Sequence, residues 1–304
     1  MLPNFLCIGA QKSGTTTLLR QLGDHPDIFM SPARETKFFL YDHLYSQGAT
    51  AYELDYFADW NAQKAVGEKT PEYLCDPDVP ERIHETLGTQ VKLVVSFRSP
   101  AQRAYAHYRH NFQHLLESVG FEEALNLEQE RSRAGKYQRS CYGYLWRGFY
   151  AEQVERYLRL FPRESLFCIV YEQDIVQKQA DTLKSLFGFL GVDAGFKPAA
   201  DVSAGRAKTM IPAFIERDTM INLPGLQGSA KTGDLLFTRE GIKPRLIRQP
   251  SAALSKLAKA ALEHLPNEMG FPRDMELEIN RRHFSDDIHR LEKITRRDLK
   301  LWLD

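Results

Sequence analysis

The chain has 304 residues, enough for one large domain or two small ones around a substantial core. Forty Lys and Arg balance forty Asp and Glu, so no global charge favours a nucleic-acid or anionic-membrane partner. There is no apolar run of about 18 residues, so no transmembrane helix is predicted. The four cysteines (Cys7, Cys75, Cys141, Cys168) lie far apart without C-x-x-C spacing, which argues against a zinc site and fits a reducing compartment. The N-terminus enters an apolar strand almost at once, without a basic n-region or an apolar h-region. A cytoplasmic protein is expected.

Phe5 to Ile8 is a buried-strand pattern, followed by a loop bounded by Gly9 and Gly14 and then a helix over Thr16 to Leu22. Strand, glycine-containing loop and helix N-terminus together make a phosphate cradle, in which backbone N–H groups and the helix dipole face an anion. Lys12 adds a full charge, and Thr15, Thr16 and Thr17 add hydroxyls. The loop departs from the Walker A pattern G-x-x-x-x-G-K-[ST]: Thr15 stands where the lysine belongs, and the lysine lies inside the loop.

Asp27 to Ser31 is a candidate short strand. A charged run, Arg34-Glu35-Thr36-Lys37, then leads into Phe38 and Phe39 and reads as a surface loop anchored by two aromatics. Residues 50–60 read as a helix carrying Tyr52, Tyr56 and Phe57 on one side. Ala65 to Glu68 is a strand that must leave the sheet before Pro71, which cannot pair. Glu68 therefore stands at a strand end, where ligands of open α/β sheets bind. Pro80 to Leu87 reads as a helix. Lys92 to Phe97 is the clearest strand. It ends in Arg98-Ser99-Pro100, with Ser99 as N-cap and Pro100 as first residue of the next helix.

Residues 121–134 pattern as one amphipathic helix. Tyr150, Val154, Tyr157, Leu158 and Phe161 form a helical core stripe within Tyr144 to Phe161. Leu166 to Tyr171 is another strand, and Leu183 to Leu190 a helix stopped at Gly191. Strands alternate with helices to residue 192. The pattern predicts an α/β fold: a P-loop-like, open, mostly parallel β-sheet with helices on both faces. Residues 193–304 are expected to form a mainly helical and loop extension of the same domain. It includes a basic run between Lys231 and Lys259, a helix at 251–264, and a C-terminal stretch whose Ile288, Leu291, Leu299 and Trp302 pack back on the body.

A metal-dependent P-loop enzyme needs a strand-end acidic residue for Mg²⁺. Here the best buried strand ends in Arg98. A cradle lysine plus a strand-end arginine suits a ligand with two separate phosphates and a group transfer that needs no metal.

Residues 11–18, Gln-Lys-Ser-Gly-Thr-Thr-Thr-Leu, resemble the 5′-phosphosulfate loop of sulfotransferases that use 3′-phosphoadenosine 5′-phosphosulfate (PAPS). Lys92 to Tyr108 resembles their 3′-phosphate motif. Gly67 to Tyr73 is similar to the catalytic-glutamate segment of the heparan-sulfate-type and bacterial branch, and Arg34 to Phe39 to that branch's substrate-side segment. The end, Leu299-Lys300-Leu301-Trp302, fits the family outline. The resemblance implies a sulfotransferase-type fold and PAPS as co-substrate, with 3′-phosphoadenosine 5′-phosphate (PAP) as product and no metal.

Position by position, the resemblance implies that Gln11, Lys12, Ser13, Gly14, Thr15, Thr16 and Thr17 cradle the 5′-phosphate and that Arg98 binds the 3′-phosphate. Arg206 and Lys208 are expected to lie near the 3′-phosphate. The family's serine eight residues after the arginine is Ala106 here, so Ser99 or a later residue would replace its bond. Glu68 is implied as general base, Lys37 as stabiliser of the transferring sulfuryl oxygens, and His110 as an active-site histidine. The implied acceptor is a glycan or small-molecule hydroxyl, or an amine. Two alternatives stay open: a metal-dependent P-loop small-molecule kinase, and a non-catalytic nucleotide-binding protein.

Overall fold

A computed structural model describes residues 1–114, 116–198 and 271–304. Arg206, Lys208, the basic run at 231–259 and the helix expected at 251–264 lie outside the described residues. So do the side chains of Thr16 and Thr17.

The described chain divides into two compact units. The first, from residues 1–103, 145–198 and 276–304, holds a five-stranded parallel sheet. Its strands are β1 (Phe5–Gly9), β2 (Ile28–Met30), β3 (Ala65–Lys69), β4 (Lys92–Phe97) and β5 (Leu166–Val170), in the order β2-β3-β1-β4-β5. Leu6 pairs with Glu68 on one side and Leu93 on the other, so β1 is central. The chain winds from β1 outward to β2 and β3, then crosses to the other side for β4 and β5. The C-terminal ends of β1 and β4 thus flank the switch point where open α/β sheets bind ligands.

Both faces of the sheet are covered by helices. On one, Phe5, Cys7, Val94 and Ile169 form a core with Leu22 of α1 (Thr15–Gly23) and with Leu183, Leu186, Phe187 and Leu190 of α9 (Gln179–Leu190). On the other, Phe97 meets Tyr150 of α8 (Tyr150–Leu158), with ring centroids 5.1 Å apart. Two short helices, α2 (Asp42–Tyr45) and α3 (Gly48–Phe57), precede β3, and α4 (Val79–Leu87) follows it. From α3, Tyr52 is fully buried among Phe38, Phe39 and Phe57.

The aromatic stripe over Tyr144 to Phe161 is not one helix. Trp146–Gly148 is a 3₁₀ turn, and α8 starts only at Tyr150. Gly148 explains the break: a β-carbon there would meet the Phe284 ring at 2.7 Å and Pro100 at 3.2 Å. The remaining helices of this unit are α10 (Arg273–Ile279, which enters it at Glu276) and α11 (Ser285–Thr295). Asn280 between them donates to Ser99 Oγ (3.0 Å) and to the Trp302 carbonyl (2.8 Å), and accepts from Ala101 N–H (3.0 Å). Trp302 Nε1 donates to Glu172 (3.1 Å), which also accepts from Ser99 N–H (3.0 Å). The C-terminus is thereby fastened to the end of β4, with Ile288, Leu291, Leu299 and Trp302 fully buried.

Residues 104–114, 116–144 and 271–275 belong to the second unit. Helix α5 (Pro100–Gln113) leads into it, and it contains α6 (Phe121–Ser132) and α7 (Lys136–Tyr142). The single helix expected over 121–134 ends at Ser132, and α7 starts after Gly135, whose φ of 140° lies outside the usual range of an L-residue. Glu117 ties this unit together, accepting from Arg131 (2.6 Å) and Tyr144 (3.0 Å) while buried. Among the described residues, no helix is long and apolar enough to cross a membrane.

Candidate active site

Two residues of the loop after β1 take a left-handed backbone. Gly14 precedes α1 with φ 79°, and a β-carbon there would lie 2.6 Å from the Tyr171 ring. Lys12 also takes a left-handed backbone, φ 69°, a conformation costly for a side-chain-bearing residue and typical of functional loops. β4 fixes the loop: Ser96 Oγ donates to the Ser13 carbonyl (2.7 Å), and Ala10 N–H donates to the Ser96 carbonyl (2.8 Å). Thr15 begins α1 and is buried, as is Ser13. Gln11 carries a buried amide oxygen without a hydrogen-bond partner.

Lys12 has its pKa lowered to about 8, first by burial and then by the Arg34 charge; Glu35 opposes these effects, and Arg103 adds to them. A lysine whose charge is disfavoured by desolvation and cationic neighbours, at a helix N-terminus, is a position that an anion would relieve. The donor set therefore fits a phosphate or phosphosulfate group.

Arg98 leaves the end of β4 toward the same loop. Its guanidinium donates to the Lys12 carbonyl (3.3 Å) and to Gln102 Oε1 (3.3 Å), and its centre lies 5.1 Å from the Tyr171 ring centroid. Ser99, which the sequence offers, with a later residue as the other choice, in place of the missing serine at Ala106, lies at the start of α5. It is 1% exposed, its N–H is given to Glu172 and its hydroxyl accepts from Asn280. Ala106 lies on the part of α5 assigned to the second unit. His110 is in that unit too, its ring 4.2 Å from that of His114.

Glu68 is 1% exposed and enclosed by hydroxyls. Thr36 (2.8 Å) and Tyr52 (3.0 Å) donate to its Oε1, and Thr70 (2.9 Å) to its Oε2. Burial raises its pKa, against the pull of these hydroxyls. Glu68 stands at the end of β3 as the sequence expects, its carboxylate held by three hydroxyls. The sequence could not reveal these partners, because Tyr52 and Thr36 reach Glu68 from 16 and 32 residues away.

The carboxylate that faces the cationic groups is Glu35. Its two oxygens lie 3.7 Å from Lys37 Nζ and 3.4 Å from Lys69 Nζ, and its charge reaches Lys12. Its side chain is 23% exposed, open enough for a ligand to approach. Lys37 is shared with Glu72 at 3.6 Å. Burial lowers the Lys37 pKa, but Glu72, Tyr41 and Glu35 outweigh it and hold the ammonium above its usual value. Glu35 and Lys69 were missed as site residues. The signal was present in Glu35, a charge set shortly before two buried aromatics.

The assembled geometry is a phosphate cradle with Lys12 and Arg98, beside a carboxylate held between Lys37 and Lys69. It suits transfer of an anionic group to a nucleophile whose proton a carboxylate can take. Among the described residues, no cluster of His, Cys, Asp and Glu could hold a metal ion.

A solved structure carries the same fold. The chain superposes over its full length on the structure of a sulfotransferase from Alicyclobacillus acidocaldarius, also matched over its full length, with TM-score 0.66 and 24% identity. It is 30% identical over 194 residues to heparan sulfate glucosamine 3-O-sulfotransferase 6 of Homo sapiens, covering 62% of this chain and 52% of that one. A bifunctional heparan sulfate N-deacetylase/N-sulfotransferase of Drosophila melanogaster is 30% identical over 212 residues, covering 63% and 20%. The chain thus spans between a fifth and about half of these curated relatives. The sulfotransferase domain itself matches residues 2–205, which include the cradle, β3 and Arg98. On that match, the chain belongs to the sulfotransferase-domain family.

Proposed function

We propose that this protein transfers the sulfuryl group of PAPS to a hydroxyl of a glycan or small-molecule acceptor, with Glu68 as general base. The observation that carries the reading is the cradle at the switch point: Arg98 at the end of β4 is hydrogen-bonded to the Lys12 carbonyl in the loop after β1, and Glu68 stands at the end of the neighbouring strand β3.

In this reading the loop amides, Thr15 and Lys12 hold the 5′-phosphosulfate and Arg98 the 3′-phosphate. The acceptor oxygen attacks sulfur, its proton passes to Glu68, and the bond from sulfur to the 5′-phosphate oxygen breaks to release PAP. Lys37 and Lys69 neutralise the sulfuryl oxygens while charge shifts toward the leaving phosphate. No covalent enzyme intermediate is required. An acidic residue on a hydroxyl nucleophile is typically worth about 10²–10⁴-fold.

A glycan acceptor is supported by the heparan-sulfate enzymes among the relatives; the balanced net charge equally suits a neutral small molecule. A cytoplasmic location belongs to the same proposal, supported by four cysteines that are all free thiols. The test is transfer of labelled sulfate from PAPS to a panel of hydroxyl and amine acceptors, with and without EDTA. Transfer that survives EDTA supports the reading. Phosphate transfer from ATP that EDTA abolishes, with none from PAPS, would favour the kinase alternative.

A further inference from the structure

The peptide unit that joins Arg98 to Ser99 is held on both edges. The Tyr150 hydroxyl donates to the Arg98 carbonyl (3.1 Å), and Ser99 N–H donates to Glu172 Oε1 (3.0 Å). Holding both groups fixes the plane of that peptide, and with it the direction in which the Arg98 side chain leaves β4. We propose that the C-terminal segment is a brace for Arg98: Glu276, Asn280 and Trp302 position it through Gln102, Ser99 and Glu172, and so set the preference of the cradle for a nucleotide with a 3′-phosphate. This rests on the sulfotransferase reading given above, in which Arg98 binds that phosphate.

The brace has two arms. The first is a closed ring of hydrogen bonds. Glu172, in the turn after β5, accepts from Ser99 N–H on one oxygen and from Trp302 Nε1 (3.1 Å) on the other. Asn280 donates to the Trp302 carbonyl (2.8 Å) and to Ser99 Oγ (3.0 Å), which returns the ring to its start. Its amide oxygen accepts from Ala101 N–H (3.0 Å), in the first turn of α5, where no helical carbonyl is within reach. Ser99, Asn280 and Trp302 are buried, so water cannot take the place of a lost partner.

The second arm reaches the guanidinium. Arg98 Nη2 donates to Gln102 Oε1 at 3.3 Å, and Gln102 Nε2 donates to Glu276 Oε2 of α10 at 2.8 Å. An acceptor on Glu276 dictates which way the Gln102 amide faces: nitrogen toward α10, oxygen toward Arg98. Tyr171, next to Glu172, supports the guanidinium from below, with its ring centroid 5.1 Å away. Arg98 itself is only partly buried. Among the described residues, two of its five N–H donors go to the Lys12 carbonyl and Gln102, and the others can serve an anion at the end of β4.

The test compares wild type, Glu172→Gln, Trp302→Phe and Arg98→Ala in calorimetric titrations with PAP and with adenosine 5′-phosphate (AMP), which lacks the 3′-phosphate. A glutamine at position 172 offers one acceptor and one donor where two N–H groups now converge, and a phenylalanine at 302 keeps the ring but not the N–H. Each is expected to weaken PAP binding by about threefold to thirtyfold, the range of couplings within one hydrogen-bond network. AMP affinity should stay within about twofold, because the loop keeps its two bonds to Ser96. In the Arg98→Ala background the same substitutions should change PAP affinity by less than about twofold, since the group they position is gone. Equal losses for both nucleotides, unchanged PAP affinity in both variants, or an undiminished loss in the Arg98→Ala background would overturn the proposal. Should neither variant fold, the wild type decides: by reciprocity, saturating PAP should slow amide exchange at Ser99, Ala101 and Trp302 more than saturating AMP does, and equal slowing would overturn the brace. A wild type that binds PAP no more tightly than AMP contradicts the donor reading itself, whereas a preference for PAP that both variants keep contradicts the brace alone.

Discussion

Arg98 donates a hydrogen bond to the backbone carbonyl of Lys12 at 3.3 Å, so the side chain that ends β4 holds the loop that follows β1. The two cationic groups assigned to the two ends of the donor are therefore mechanically joined. Tyr171 backs both halves, lying under the Arg98 guanidinium and against Gly14.

Replacing Arg98 should consequently do more than remove a charge. Arg98→Ala is expected to weaken PAP binding by about 2 kcal/mol, roughly thirtyfold, the worth of a charge-assisted hydrogen bond. Arg98→Lys should recover only part of it, because an ammonium cannot reproduce the guanidinium's paired donors or its stacking on Tyr171. Calorimetric titration of both variants with PAP checks the order; equal affinity in Arg98→Lys and wild type would contradict it.

Lys12 gives donor binding a pH dependence of known sign. Its pKa is lowered to about 8 by burial and then by Arg34, and an anionic ligand favours the protonated form. The complex thus holds more protons than the free protein above that pH. PAP affinity should be full below about pH 8 and fall as pH rises, by up to tenfold per unit, until the lysine's pKa in the complex is reached. Titrations between about pH 7 and pH 9.5 test this, and in Lys12→Arg the slope should vanish because arginine stays charged.

Glu68→Gln tests the base directly. It is expected to lower kcat by about 10²–10⁴-fold, the range of a lost general base. The melting temperature should fall as well, since a buried hydroxyl loses its acceptor at a cost of about 1–3 kcal/mol. Glu35→Gln, which removes a charge beside Lys37 and Lys69, is expected to lower kcat by less. Thermal unfolding and turnover measured on both variants check this; full activity in Glu68→Gln would remove it from the chemistry.

Gly14→Ala should damage fold and site together. The left-handed backbone at φ 79° costs a β-carbon roughly 1–2 kcal/mol, before the contact with the Tyr171 ring is added. Tyr171→Ala removes the clash but not the strain. The double variant should therefore regain part of the lost stability, measured by denaturant unfolding.

The fold was readable where local pattern and final environment coincide. β4 is apolar, β-branched and buried over five of its six residues, and its strand-end arginine lies where the pattern put it. The strand, loop and helix over residues 5–23 were equally legible, because their pattern is carried by adjacent residues. What escaped was set by distance. The hydroxyls that hold Glu68 come from α3 with Tyr52 and from the loop before it with Thr36. Glu35 looks like surface charge until β3 brings Lys69 beside it. The break before α8 depends on Phe284, which lies far along the chain from Gly148 and fills the space a side chain would need.

The central claim is that the cradle takes a 3′,5′-bisphosphorylated adenosine and needs no metal to hold it. The most direct measurement compares thermal stabilisation of the wild type and Lys12→Ala by PAP in EDTA with stabilisation by ATP and Mg²⁺. PAP at about a hundred times its dissociation constant should stabilise the wild type by about 2.7 kcal/mol, and Lys12→Ala markedly less at the same concentration. Stabilisation by ATP and Mg²⁺ with none by PAP would contradict the account.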